Sequence, residues 1–154
     1  MALNVGSKAP EFILFDSNKK SRQLSEFHGK KVVLAFYPGA FTGACTKELC
    51  AFRDAMSNFN NLNAQVVGIS VDSPFANNAF ATQNNLQFPL LSDYTREVCK
   101  QYCGVYEDFG GIKGYSASKR AVFIVDANNT VTYAWISENP GVEPDYNAVI
   151  LALK

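Results

Sequence analysis

Two periods of apolar and polar residues run along these 154 positions, and each predicts a kind of element. Val32 to Tyr37 is an unbroken apolar run that stops at Pro38, the pattern of a central strand buried on both faces. Cys45, Leu49, Phe52, Met56 and Phe59 then recur at helical spacing, so the chain from about Gly43 to Asn60 should be a helix with one buried stripe. Val66 to Val71 is the next apolar strand. One helix separates the two strands, so they should lie parallel with a right-handed crossover.

The flanking segments complete the order. Phe12 to Phe15 reads as a short strand and Asp16-Ser17-Asn18-Lys19 as a turn, giving an N-terminal hairpin. Pro74 to Asn84 reads as a helix, with Ser73 as cap and Pro74 at the first helical position. Phe88 to Leu91 is a short extended piece. Ser92 or Asp93 should cap a further helix that reaches Tyr102 and stops at Gly104. Phe109 to Lys119 reads as a glycine-containing loop. Ala121 to Val125 and Val131 to Ile136 are strands joined by Asp126-Ala127-Asn128-Asn129, a hairpin signal. Glu143-Pro144 should open a last helix running to the C-terminus. A parallel βαβ half followed by an antiparallel ββα half predicts an α/β fold with a mixed central sheet and helices on both faces. That is the layout of the thioredoxin fold.

Composition narrows the function classes. The chain is long enough for one domain, residues 1–154, with a substantial core. Fourteen basic residues balance fourteen acidic ones, so no net field favours nucleic acid or an anionic membrane. No apolar run approaches membrane-spanning length, and Met1 to Lys8 lacks the apolar centre of a signal peptide. A cytoplasmic setting is expected, where thiols stay mostly reduced. Four cysteines there point to catalysis, redox sensing or metal binding rather than a disulfide framework.

The chemistry concentrates in Pro38, Thr42 and Cys45, spaced Pro-x-x-x-Thr-x-x-Cys directly after the first long strand. Cys45 falls in the first turn of the predicted helix, where unpaired N–H groups and the helix dipole favour an anion and should lower the thiol pKa. Thr42 is placed to cap that helix and to turn its hydroxyl towards the same pocket. Pro38 ends the strand rigidly and suits a wall that excludes water. The only histidine, His28, sits in a Phe-His-Gly-Lys turn and reads as a surface residue, so Cys45 must be activated by the helix and a cation. Arg53, two turns down the same helix, should point elsewhere. Arg120, just before the Ala121–Val125 strand, is placed to reach the active edge of the sheet.

The run Phe36-Tyr37-Pro38-Gly39-Ala40-Phe41-Thr42-Gly43-Ala44-Cys45-Thr46-Lys47-Glu48-Leu49-Cys50, followed by Phe52-Arg53-Asp54, resembles the signature of the peroxiredoxins. The closest variety is the bacterioferritin-comigratory, or Q-type, group. The likeness extends over essentially the whole chain, including Lys119-Arg120-Ala121-Val122-Phe123-Ile124-Val125-Asp126. It implies that Cys45 is the peroxidatic cysteine, that Thr42 and Arg120 bind peroxide, that Pro38 shields the thiolate and that Glu48 orders the local hydrogen bonds. The activity implied is reduction of hydrogen peroxide and alkyl hydroperoxides, with a thioredoxin-like dithiol as reductant and no metal, flavin or haem. A monomer and a homodimer are both compatible with it.

The remaining cysteines leave alternatives open. Cys50 follows Cys45 by five residues, roughly 140° around a helix and about 7.5 Å along it. The two sulfurs can bond only if the helix unwinds, since a disulfide needs Cα atoms within about 7 Å. The resemblance supports Cys50 as the resolving thiol, because some Q-type enzymes carry one at this offset. It also makes Cys99, on the later helix, a rival; Cys103 reads as a core residue. A thiol–disulfide oxidoreductase would want Cys-x-x-Cys, which this chain lacks. A redox sensor is a further reading, and so is a four-sulfur zinc site, though the Cys-x4-Cys and Cys-x3-Cys spacings suit zinc poorly.

Overall fold

The computed structural model describes residues 2–27 and 29–154, so the reading of His28 as a surface residue lies outside the described residues. The apolar runs form β1 (Ile13–Asp16), β2 (Ser21–Gln23), β3 (Lys31–Phe36), β4 (Ala64–Ser70) and β5 (Leu90–Ser92), then β6 (Val105–Tyr106), β7 (Ala117–Ser118), β8 (Arg120–Val125) and β9 (Val131–Ser137). The helices are α1 (Gly43–Asp54), α2 (Met56–Asn61), α3 (Pro74–Asn84), α4 (Glu97–Tyr102) and α5 (Tyr146–Leu153). Seven strands make one mixed sheet in the order β2-β1-β5-β4-β3-β8-β9. β3 pairs parallel with β4 and β4 with β5, while β3–β8 and β8–β9 are antiparallel. The expected parallel half and antiparallel half therefore meet at β3, which pairs with β4 on one side and β8 on the other.

Alternation along the strands sorts the core into two layers. Val32, Leu34 and Phe36 pack on one face with Val98, Cys99, Tyr102 and Phe123. Val33, Ala35 and Tyr37 pack on the other with Cys45, Leu49, Phe52, Phe59, Phe80 and Val149. So α4 covers one face and α1, α2, α3 and α5 cover the other. Burying a Val, Leu, Ile or Phe is worth roughly 1.5–3 kcal/mol each, and both layers are filled by such residues.

Several boundaries differ from the sequence expectations for identifiable reasons. The expected helix from Gly43 to Asn60 divides at Ala55, whose backbone (φ −94°, ψ 6°) leaves the helical region. Its N–H is shared between the Ala51 and Phe52 carbonyls at 3.1 and 3.2 Å, a tightened turn that brings Phe59 onto Phe52 with ring centroids 5.7 Å apart. Neither Ser92 nor Asp93 is the boundary residue of α4; that is Arg96, at φ 67°. Asp93 still does the capping chemistry from further back, its carboxylate accepting from the N–H groups of Val98 and Cys99 at 3.3 and 2.7 Å. α5 starts at Tyr146, after Pro144, because Asp145 accepts from the Ala148 N–H at 3.1 Å and so sets the cap. The segment from Phe109 to Lys119 is more than a loop, since β7 within it pairs with β6. No helix among the described residues is long and apolar enough to cross a membrane.

Gly68 marks the tightest approach in the sheet. A Cβ there would lie 2.6 Å from Leu90 Cδ2 and 3.3 Å from Tyr37 Cε1. Gly68→Ala is expected to destabilise the fold by about 1–3 kcal/mol through overpacking. Urea denaturation checks this, and an unchanged midpoint would contradict the packing argument.

Candidate active site

The chain leaves β3 through Tyr37, whose N–H still bonds the Ile69 carbonyl at 2.9 Å, and then meets buried Pro38 and Gly39. Asp72 fixes the next turn, its Oδ2 accepting from the Ala40 N–H at 2.7 Å and from the Ser70 hydroxyl at 2.9 Å. Phe41 then adopts φ 67°, a left-handed conformation rare for a bulky residue and costing roughly 1–3 kcal/mol. That reversal starts α1 at Gly43 and sets the Phe41 ring edge-on to Phe80, centroids 5.2 Å apart. Tyr37 donates to Asn77 Oδ1 at 2.8 Å, so α3 braces the entry strand as well.

Cys45 is the third residue of α1 and fully buried. Thr42 has the extended backbone of a helix cap, but its side chain makes no capping bond. This corrects the expectation: the hydroxyl donates instead to the Gly39 carbonyl at 2.8 Å. It lies beside the Cys45 sulfur, where it favours the thiolate.

Arg120 opens β8 and is 1% exposed. Its guanidinium is held on three sides. Nη1 donates to Glu48 Oε1 at 2.7 Å, Nη2 to Cys45 Sγ at 3.0 Å and Nε to the Pro140 carbonyl at 3.0 Å. Its main-chain N–H donates to the Tyr106 hydroxyl at 3.2 Å, which itself donates to the Ser137 carbonyl. Residues far apart in sequence thus converge on one planar fork, which suits arginine better than lysine.

Burial pushes the Cys45 thiol above its ordinary value and outweighs the downward pull of Arg120, Thr42 and Gly39. This corrects the expectation of a lowered pKa at a helix start. Burial likewise raises the Glu48 carboxyl to about 7, against the pull of Arg120. Both shifts have one physical reading. A single fixed cation sits between two acids in a medium that resists charge, so it supports one anion readily and two with difficulty. Glu48 Oε2 is buried without a hydrogen-bond partner among the described residues, and is the natural seat of a proton in that arrangement.

The other cysteines separate cleanly. Cys50 is half-buried on the side of α1 that meets α3, its thiol directed at Asn84 Oδ1 at 3.6 Å. Cys99 and Cys103 are buried in the opposite core layer, across the sheet from Cys45. There Cys103 Sγ lies 3.7 Å from the Ser118 hydroxyl, and burial and the adjacent Asp93 drive Cys99 strongly upward. The four sulfurs are not assembled as a zinc site would require, and no metal-binding group of His, Cys, Asp or Glu occurs among the described residues. Arg53 points away from Cys45, as expected, and donates to the Asn84 carbonyl at 2.7 Å. Sequence reasoning missed Asp72, Tyr106 and the Pro140 carbonyl, which act across long separations and leave no local pattern.

A thioredoxin-type sheet that presents a buried thiol to an arginine at the start of a helix defines a thiol-redox protein. The AhpC/TSA family model matches residues 5–134. The chain is 41% identical over 138 residues to the putative peroxiredoxin bcp of Coxiella burnetii, covering 88% of this chain and 89% of that protein. It is 43% identical over 131 residues to the chloroplastic peroxiredoxin Q of Populus jackii, covering 82% of this chain but only 61% of that longer protein. Among solved structures, peroxidoxin BcpB of Mycobacterium tuberculosis superposes with a TM-score of 0.85 at 33% identity, covering 98% of this chain and 96% of the other. The bacterioferritin comigratory protein of Xanthomonas campestris, described for its alkyl peroxide reduction activity, superposes with a TM-score of 0.80 at 26% identity over 92% of this chain and 89% of that one. The chain belongs to the AhpC/TSA family of peroxiredoxins.

Because Glu48 holds its proton up to about 7 rather than 4.5, the fold binds that proton more tightly than the unfolded chain does. This group's contribution to stability therefore declines as pH rises from 4.5 to about 7 and is level beyond it. Subtracting the urea-denaturation stability of Glu48→Gln from that of the parent should expose this slope. A difference that stays constant over the interval would refute the protonated-carboxyl reading.

Proposed function

We propose that the protein is a thiol-dependent peroxidase acting on hydrogen peroxide and alkyl hydroperoxides through Cys45. The observation that carries this reading is the 3.0 Å contact from Arg120 Nη2 to Cys45 Sγ, both buried, with the Thr42 hydroxyl beside the sulfur. Arginine stays protonated, so its charge stabilises the thiolate that attacks and the oxygen that departs. The thiolate attacks the terminal peroxide oxygen. The sulfur–oxygen bond forms as the oxygen–oxygen bond breaks, giving a sulfenic acid, and the departing oxyanion takes a proton to leave as water or an alcohol. Pro38 walls the pocket, and Thr42 and Arg120 orient the peroxide.

Cys50 then resolves the sulfenic acid. Its sulfur displaces hydroxide from the Cys45 sulfur, the thiol proton completes a water molecule, and a Cys45–Cys50 disulfide results. A thioredoxin-like dithiol reduces that disulfide by exchange. Cys50 is favoured over Cys99 because it lies on the same helix as Cys45 and is only half-buried, whereas Cys99 is buried in the core layer across the sheet. The catalytic unit is the one domain 1–154, working in the cytoplasm as a monomer or homodimer and needing neither nucleic acid nor membrane.

One equivalent of hydrogen peroxide on the reduced protein, followed by intact mass and peptide mapping, tests the scheme. Loss of two hydrogens mapped to Cys45 and Cys50 is expected. Cys45→Ser should abolish peroxide consumption, and Arg120→Ala should slow the first oxidation roughly a hundredfold, the usual cost of one electrostatic donor. Cys50→Ser should leave that first step intact and stop at one added oxygen on Cys45. Normal turnover by Cys45→Ser would overturn the reading.

A further inference from the structure

Resolution by Cys50 requires α1 to unwind, and the structure contains contacts that set how far. One face of α3 carries Asn77, Phe80 and Asn84, near the spacing that aligns side chains along a helix. Phe80 supports the Phe41 ring, ahead of α1. Asn84, one turn further on, touches α1 at two atoms. Its side-chain Oδ1 accepts from Cys50 Sγ at 3.6 Å, and its main-chain carbonyl accepts from Arg53 Nη1 at 2.7 Å. The Asn84 amide is itself oriented, because Nδ2 donates to the Phe80 carbonyl at 3.0 Å. The reacting segment, Thr42 to Leu49, thus lies between two attachments to the same helix.

We propose that Arg53 and Asn84 form a clip that anchors α1 from Cys50 onward to α3, so that unwinding stops at Cys50 and delivers Cys45 to a stationary thiol. Both are positioning residues, and neither touches Cys45. The inference rests on Cys50 being the resolving cysteine. The anchor suits that task physically. Arg53 to the Asn84 carbonyl is a charge-assisted bond, and the bond from Cys50 is a weak thiol bond. The backbone is held firmly while the sulfur is held loosely in place. The five residues before Cys50 include buried Cys45, Glu48 and Leu49, which lack any such tie to α3 among the described residues and are held by packing and by Arg120.

The test separates the two chemical steps. Reduced parent, Arg53→Ala, Arg53→Lys and Asn84→Ala proteins receive substoichiometric hydrogen peroxide. Sulfenic acid is trapped with dimedone and the Cys45–Cys50 disulfide is followed by quenched mass mapping. Circular dichroism establishes that each variant is folded. Arg53→Ala is expected to leave sulfenic acid formation within about twofold of the parent and to slow disulfide formation about tenfold, the size of one charge-assisted hydrogen bond. Arg53→Lys, which keeps a cationic donor, should recover part of that loss. Asn84→Ala keeps the carbonyl that Arg53 uses and should slow the disulfide by a smaller factor. With excess peroxide the slowed variants should accumulate more sulfinic acid at Cys45. Unchanged disulfide rates in both alanine variants would overturn the clip, as would equal slowing of both steps. Failure of the parent itself to form a Cys45–Cys50 disulfide would remove the resolving role of Cys50, a different failure from loss of the clip.

Discussion

A buried arginine makes the strictest demand on this fold. Taking a guanidinium out of water is expensive, and Arg120 is tolerable only because three sides of it are bonded at once. Those partners come from α1 and from the segment after β9, so the sheet must present β8 in one register. β3 and β8 pair with Phe36 opposite Ala121 and Val32 opposite Val125. Arg120, Val122 and Ile124 therefore alternate onto the side of Cys45, and Ala121, Phe123 and Val125 onto the side of Cys99. A slip of one residue would send the cation into the wrong core layer, among apolar groups and far from either acid. The register of the antiparallel half is thus tied to the chemistry of the helix attached to the parallel half.

The same burial explains why the site is not simply an activated thiol. A helix start and an arginine both favour the thiolate, yet exclusion of water opposes it, and here desolvation wins for Cys45 and Glu48 alike. The two acids share one cation through the two arms of a single fork. Whichever is ionised makes ionisation of the other harder, so the site is a coupled unit. Removing Glu48 would leave Arg120 with fewer partners and would also free its charge for Cys45, and these effects act in opposite directions on the thiol.

Much of this was legible in the sequence, because it follows from local periodicity. The apolar run at β3, the helical stripe through Cys45, the proline at the start of α3 and the β8–β9 hairpin signal all appear where expected. The likeness of the Pro38-to-Cys50 run to the peroxiredoxin signature pointed to the family. What was not legible depends on long-range contact. Ala55 has good helical propensity, and the break there accompanies the packing of Phe59 on Phe52. Asp93 caps α4 from outside the position where a cap is sought. Asp72 holds the Ala40 N–H across 32 residues, and Pro140 contributes through a carbonyl that every residue type possesses. The lowered thiol pKa expected from helix position failed for a related reason, since the depth of burial is a property of the assembled sheet.

The arrangement also accounts for how a closed site opens on the proposed chemistry. A twelve-residue helix is marginal without tertiary support, and the first turns of α1 draw theirs from buried Cys45, Glu48 and Leu49 and from the Arg120 contacts. Conversion of Cys45 to a sulfenic acid adds an oxygen to a fully packed position, at the sulfur that accepts from Arg120 at 3.0 Å. On that chemistry the reaction disturbs the packing and the arginine contact that hold its own starting geometry. Oxidation weakens one end of the segment while the other end, at Arg53 and Asn84, keeps every contact it had. The unwound state is then reached from the peroxide side alone, and it ends beside the thiol that can close the disulfide.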